Sequence, residues 1–218
     1  MTLIRFFRIF NRNFNLLVFS ALVLALVVFF LTRYTPREYQ SETEIFTGIA
    51  SGINVESVET SKGGDFFTTS NEYDNLLNII RSRQTLEEVG ERLLVQHMML
   101  DSADPEFISQ ENWQHFRYKV PDSLEQRLLV PNSFELTLEN VKQYKKEHFN
   151  EERVKLTFYN ASSPYSYQRI SNVKISRVQN SDLIRISYTW TDPGIVKSTL
   201  EMLNKTFMKK LTDIKIGQ

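Results

Sequence analysis

The sequence predicts an α+β chain: an N-terminal transmembrane helix, then a small mixed sheet packed with helices, then a long amphipathic helix at the C-terminal end. Three observations predict it. Leu16 to Leu31 is an unbroken apolar run in which Ser20 is the one polar residue. Several later stretches, Leu183 to Trp190 the clearest, alternate with period two. After Asp192, apolar residues recur every three or four positions for more than five turns.

Composition narrows the chemistry. The chain has 218 residues, 26 basic and 26 acidic side chains, and no cysteine. Disulfide staples, thiolate metal sites and cysteine nucleophiles are excluded. Seven glycines and six prolines exclude collagen-like and Gly/Pro-rich disordered classes. A net charge of zero argues against general nucleic-acid binding, so no nucleic-acid partner is expected. The neutrality is an average, however. Arg5, Arg8, Arg12, Arg33 and Arg37 precede the first acidic residue, Glu38, so the head carries +5 and the remainder −5.

The apolar run, 16 residues at 1.5 Å each, reaches about 24 Å, short of a hydrocarbon core of roughly 30 Å. Extending it to residues 14–34 closes the gap, with Arg12 and Arg33 reaching outward and Tyr34 at the interface. A cleaved secretory signal has the same order of charge and apolarity. Thr32 to Arg37 offers no small-x-small cleavage site, which favours an uncleaved anchor. Three arginines before the span against two after it place the N-terminus in the cytoplasm and the body outside. Residues 1–13 read as a basic amphipathic segment on the cytoplasmic face of the lipid bilayer.

The body, residues 36–218, follows. Pro36 ends the helix. Arg37 to Phe46 alternates, with Tyr39, Ser41, Thr43 and Ile45 opposite Glu38, Gln40, Glu42 and Glu44, and reads as a half-exposed strand. Residues 47–70, with four glycines and much Ser and Thr, read as a long loop. A helix follows with Tyr73, Leu76, Leu77 and Ile80 on one face and Ser70 or Asn71 as cap. A second helix is capped by Ser82 and carries Leu86, Val89, Leu93 and Leu94 in phase. Residues 101–121 read as irregular. Asn132 and Glu135 have capping-box spacing and open a polar helix to about Phe149. Val154 to Tyr159 and the stretch around Val173 and Ile175 read as strands. Leu183 to Trp190 places Ile184, Ile186, Tyr188 and Trp190 on one face. Gln179 to Asp182 reads as the turn of an antiparallel hairpin. Asp192-Pro193 starts the last helix, residues 193–215, with the stripe Val196, Leu200, Leu203, Phe207, Leu211 and Ile214. Its first half fits packing on the domain's own sheet, and its second half fits extension as a coiled coil.

No catalytic or cofactor spacing emerges. Ser61-Lys62-Gly63-Gly64 lacks the frame of a phosphate-binding loop, and GxGxxG and HExxH are absent. His97, His115 and His148 stand far apart, with no second ligand at metal-binding spacing. The sequence therefore nominates no catalytic, cofactor-binding or metal-binding residue and predicts a non-enzyme. The mixed charge run Lys142, Lys145, Lys146, Glu147, Glu151 and Glu152 reads as a solvated helix face. Two aromatic clusters could stack on sugars: Tyr159, Tyr165 and Tyr167, and Trp113, Phe116 and Tyr118. Core packing is the favoured reading of both.

Three segments carry a family resemblance. They are Pro36-Arg37-Glu38-Tyr39-Gln40-Ser41-Glu42-Thr43-Glu44-Ile45, the helix Ile79-Ile80-Arg81-Ser82-Arg83-Gln84-Thr85-Leu86-Glu87-Glu88-Val89, and Ser181-Asp182-Leu183-Ile184-Arg185-Ile186-Ser187-Tyr188 followed by Asp192-Pro193-Gly194-Ile195-Val196. With the basic N-terminus and early span, the chain resembles the N-terminal part of the chain-length determinant proteins, the polysaccharide co-polymerases of bacterial envelopes. The strand followed by the Asp-Pro helix start is the most specific piece, and residues 100–160 carry no resemblance.

The resemblance implies an inner-membrane protein with a periplasmic α/β base domain, assembled as a homo-oligomeric ring. Its partners would be a membrane polysaccharide polymerase and, in some branches, an outer-membrane exporter. The implied function is non-enzymatic control of O-antigen, capsule or exopolysaccharide length or export. Family members continue into a longer helix and a second span, and some into a tyrosine-kinase domain. Helix 193–215 is therefore expected to be the cut end of a longer element. The alternative is a periplasmic ligand-sensing domain of a membrane receptor. An anchored hydrolase or transferase has only scattered carboxylates in its favour.

Overall fold

Three strands, β1 (Tyr39–Phe46), β2 (Lys174–Arg177) and β3 (Leu183–Trp190), form one sheet in the order β1-β3-β2 in the computed structural model of the chain. The structure describes residue 10 and residues 12–33, 37–47, 66–179 and 181–216. These divide into two units, Met1–Arg37 and Glu38–Gln218.

In the first unit, helix α1 (Phe14–Arg33) is 20 residues long with every side chain exposed. At 1.5 Å per residue it is about 30 Å long. Ser20 donates to the Leu17 carbonyl at 2.9 Å and Thr32 to that of Val28 at 2.8 Å. Both hydroxyls are thus satisfied within the helix, as an apolar surrounding requires. The helix is long and apolar enough to cross a membrane, a description a signal sequence also meets. The predicted surface segment falls almost wholly on residues outside the described ones, as do Tyr34 and Pro36.

In the second unit the sheet is antiparallel throughout, not mixed as expected. β2 reaches β3 through a tight turn, which makes them run oppositely. The chain between β1 and β3 returns to the end of β1 that it left, since Phe46 sits opposite Leu183, so β3 runs back along β1. The alternation read from sequence sets the faces. Ile45, Ile175, Ile184, Ile186, Tyr188 and Trp190 are buried on one side. Glu44 and Arg185 face each other across the other, paired at 2.8 Å.

The helices are α2 (Phe66–Arg81), α3 (Arg83–Met98), α4 (Gln110–Lys119), α5 (Asp122–Leu128), α6 (Phe134–Glu147), α7 (Glu152–Val154, continuing into a π-helical turn Lys155–Tyr159), α8 (Tyr167–Ile170) and α9 (Pro193–Ile216). α9 packs on β1 and β3 with one side and on α3 with another, while α2, α6 and α8 also cover α3. α3 is therefore buried around most of its circumference, including Glu91, Arg92 and His97. Its cap is Ser82, whose hydroxyl accepts from Thr85 N at 3.2 Å, as the sequence predicts. Along α9, Val196, Leu200, Leu203 and Phe207 are buried and Leu211 is half-buried. That stretch of the stripe belongs to the domain's own core. The side chain of Ile214 lies outside the described residues.

Five further expectations are corrected. Val154 to Tyr159 is helical, not a strand: Val154, Thr157 and Phe158 are the buried residues, at helical i, i+3, i+4 spacing. Residues 110–119, expected to be irregular, form α4, capped by Ser109. Helix α5, which the sequence reading did not contain, follows Pro121. The cap of α6 is Ser133 rather than Asn132, which takes a left-handed φ of 60° that asparagine tolerates. Helix α2 begins at Phe66, so Ser70 and Asn71 lie inside it; Ser and Asn cost little in a helix interior. The rest of the expected loop, from residue 48 on, lies outside the described residues.

Candidate functional site

The N-terminal end of α4 meets the start of α9, and one aspartate ties the two together. Asp192 Oδ1 accepts from the backbone N–H of Gly194 at 2.9 Å and of Ile195 at 3.3 Å, capping α9. Its Oδ2 accepts from Ser109 N and Asn112 Nδ2, each at 2.8 Å. Ser109 in turn caps α4. Burial alone would raise the Asp192 carboxyl, but the hydrogen bonds from Ser109, Asn112 and Ile195 outweigh it and hold it below its ordinary value.

A cleft of about 330 Å³ opens at this junction. α4 supplies Asn112, His115 and Lys119, at i, i+3 and i+7, with Phe116 as floor between them. Ser162, Pro164 and Tyr165 form the opposite wall, and Ile195 closes one end. The wall is shaped by Asn160, whose Oδ1 accepts from Ser162 N at 2.9 Å and from the Ser162 hydroxyl at 2.8 Å. That hydroxyl therefore donates to an amide oxygen, which leaves its oxygen lone pairs.

Behind the floor, the two aromatic clusters seen in the sequence meet. Phe116 and Tyr165 are buried with ring centroids 6.4 Å apart, and Trp113 packs on Phe116 at 5.0 Å. The core reading therefore holds for these three. Tyr118 is exposed, Tyr159 is half-buried against Phe149, and Tyr167 lies under the Arg83 guanidinium. Of the histidines, His97 is buried at the end of α3, His115 stands at the cleft, and His148 caps α6. Among the described residues no group of three metal-ligating side chains comes together. The Ser61 to Gly64 stretch lies outside the described residues.

The mixed charge run is not a uniformly solvated face. Lys145 is 8% exposed and pairs with Glu91 at 2.8 Å and Glu87 at 3.2 Å, beneath the Phe158 and Tyr159 rings. Sequence reasoning missed Lys119 and Asn112 as site residues. The readable signal was the stripe Asn112, His115, Phe116, Lys119, which holds one helix face once α4 is recognised. Comparison of the chain with protein-family models, with curated proteins and with solved structures gave no match.

Proposed function

We propose that the chain is a non-enzymatic scaffold of a bacterial inner membrane, anchored by α1 with its N-terminus cytoplasmic and its body periplasmic. A ring of copies would regulate the chain length or export of a surface polysaccharide together with a membrane polymerase. One observation carries this reading. β1, the first element after α1, pairs over its full length with β3, and β3 runs through Asp192 into the 24-residue α9. Tyr39 sits opposite Trp190, so the chain enters the domain and departs into its longest helix at neighbouring points of one strand pair. The resemblance implies a base domain that continues into a longer helix, and a ring gives such a base a way to act by geometry and multivalency.

The test is carbonate extraction of membranes, then native mass measurement of the detergent-extracted protein. The reading expects a membrane-retained chain that keeps residues 1–37, assembled as an integer multiple of the mass of one copy. A shortened, soluble or purely monomeric product would contradict it. The cleft supports a second reading, a ligand-sensing domain of a membrane receptor. Strong thermal stabilisation by one small metabolite would favour that reading.

A further inference from the structure

We infer that the cleft beside α4 binds a small hydroxylated anion, a sugar acid or sugar phosphate, with Lys119 as its charge partner. The inference shares this cleft with the ligand-sensing reading, whose ligand class it names, and does not rest on the scaffold reading. Lys119 is half-buried, and no carboxylate or hydrogen-bond acceptor engages its ammonium among the described residues. The other described lysines withdrawn from solvent contrast with it: buried Lys145 has Glu87 and Glu91, and half-buried Lys210 approaches Glu88 at 3.8 Å, whereas Lys146, Lys155, Lys174, Lys205 and Lys209, which carry no ion pair either, are exposed. A cation that loses hydration without gaining a counter-charge is destabilised, and burial alone holds Lys119 below its ordinary pKa. A bound anion supplies the missing charge.

The remaining polar groups specify hydroxyls. Asn112 spends its amide N–H groups on Asp192 and Ser109, which leaves its Oδ1 as a free acceptor. The Ser162 hydroxyl donates to Asn160, which leaves its lone pairs. His115 adds an imidazole. Acceptors of this kind take O–H donors from a ligand, and a carboxylate or phosphate on the same ligand takes the ammonium. Pro164 is the half-buried apolar residue of the lining, and buried Phe116 and Ile195 back the cleft from the core. About 330 Å³ is at the lower end of ligand cavities, the range for one sugar unit. Asp192 does not repel such a ligand strongly, because its charge is shared among four N–H donors.

Lys119 also borders an adjacent surface hollow of about 270 Å³ with Tyr118, Glu152 and Arg153, so the test must separate the two. The full chain in detergent micelles is titrated calorimetrically with glucuronate, glucose 6-phosphate, glucose and inorganic phosphate. Saturable binding of glucuronate or glucose 6-phosphate is expected, at least tenfold tighter than glucose and inorganic phosphate; which of the two binds identifies the anionic group. Lys119→Gln and Asn112→Ala should each weaken it at least tenfold, Lys119→Arg should retain part of it, and Tyr118→Ala, at an exposed residue of the hollow alone, should leave it unchanged. Lys119→Gln should melt at or above the wild-type temperature, because it removes an unpaired charge. No saturable binding, binding indifferent to Lys119→Gln, inorganic phosphate binding equally well, loss with Tyr118→Ala but not Asn112→Ala, or a Lys119→Gln melting temperature lowered by more than about 5 °C would each overturn the inference.

Discussion

His97 Nδ1 lies 2.8 Å from the phenolic oxygen of Tyr165, deep in the core, while His97 Nε2 faces the Phe107 carbonyl at 3.3 Å. A carbonyl only accepts, so Nε2 carries the proton and Nδ1 accepts from the tyrosine. The neutral ring is thus fully used, and a second proton would displace the Tyr165 donor. Burial lowers the pKa of His97 to about 4, against weaker upward pulls from the Phe107 carbonyl and the charge of Asp192.

That depression fixes a sign. The unfolded chain takes up the proton near pH 6.5, before the folded one does. Stability from this site is complete above pH 6.5, falls between 6.5 and about 4, and is flat below. The loss should total about 3 kcal/mol at 1.36 kcal/mol per pH unit. Urea unfolding of the full chain in micelles across this range measures it, and His97→Gln should remove that part of the slope.

Asp192 acts in a different pH window. Its folded pKa lies below the ordinary 3.8, so its contribution is complete above that value and is lost as pH falls through the lower folded one. Asp192→Ala removes the cap of α9 and the bridge to Ser109 and Asn112 together. It should cost about 2–3 kcal/mol in the same unfolding assay at pH 7. It should also weaken ligand binding in the cleft, because Asn112 loses its anchor.

Lys145 tests the charge run on α6. Its ammonium is the partner of buried Glu91, and burial, which would lower its pKa, is outweighed by Glu91 and Glu87. Lys145→Met leaves Glu91 buried with its charge uncompensated and should destabilise by about 3–5 kcal/mol. The double variant Lys145→Met with Glu91→Leu should recover most of that loss, a coupling that thermal melts of the four proteins measure.

Gly90 tests the packing of the cleft wall against α3. A Cβ at this position would overlap the backbone carbonyl of Tyr165 and approach Ile170 Cδ1 to 3.2 Å. Gly90→Ala should therefore destabilise by about 1–3 kcal/mol, although alanine favours helices, because backbone must move. A melting temperature unchanged or raised would show that the wall yields freely.

What the sequence reveals and conceals follows from how each element is stabilised. The apolar run, the alternation of Leu183 to Trp190 and the Asp192-Pro193 start are local signals, and all three appear where the residues place them. Helix α4 conceals itself because only Trp113 and Phe116 of its ten residues are buried, too few to set a period. Val154 to Tyr159 fits both templates: Val154, Leu156 and Phe158 alternate, while Val154, Thr157 and Phe158 recur helically. Tertiary burial selects the second. The cleft is the least legible feature, because α4, the Ser162–Tyr165 wall and the first turn of α9 are distant in sequence and are brought together by the Asp192 hydrogen bonds and the His97–Tyr165 contact.

The proposed function, setting the length of a surface polymer, reads out in the polymer itself. The most direct measurement is the length distribution of surface polysaccharide on a gel from cells lacking the gene, complemented either by the full chain or by one lacking residues 1–37. The account predicts a shifted or broadened distribution on deletion, restored by the full chain and not by the anchorless one. An unchanged ladder with an unchanged amount of surface polymer would contradict it.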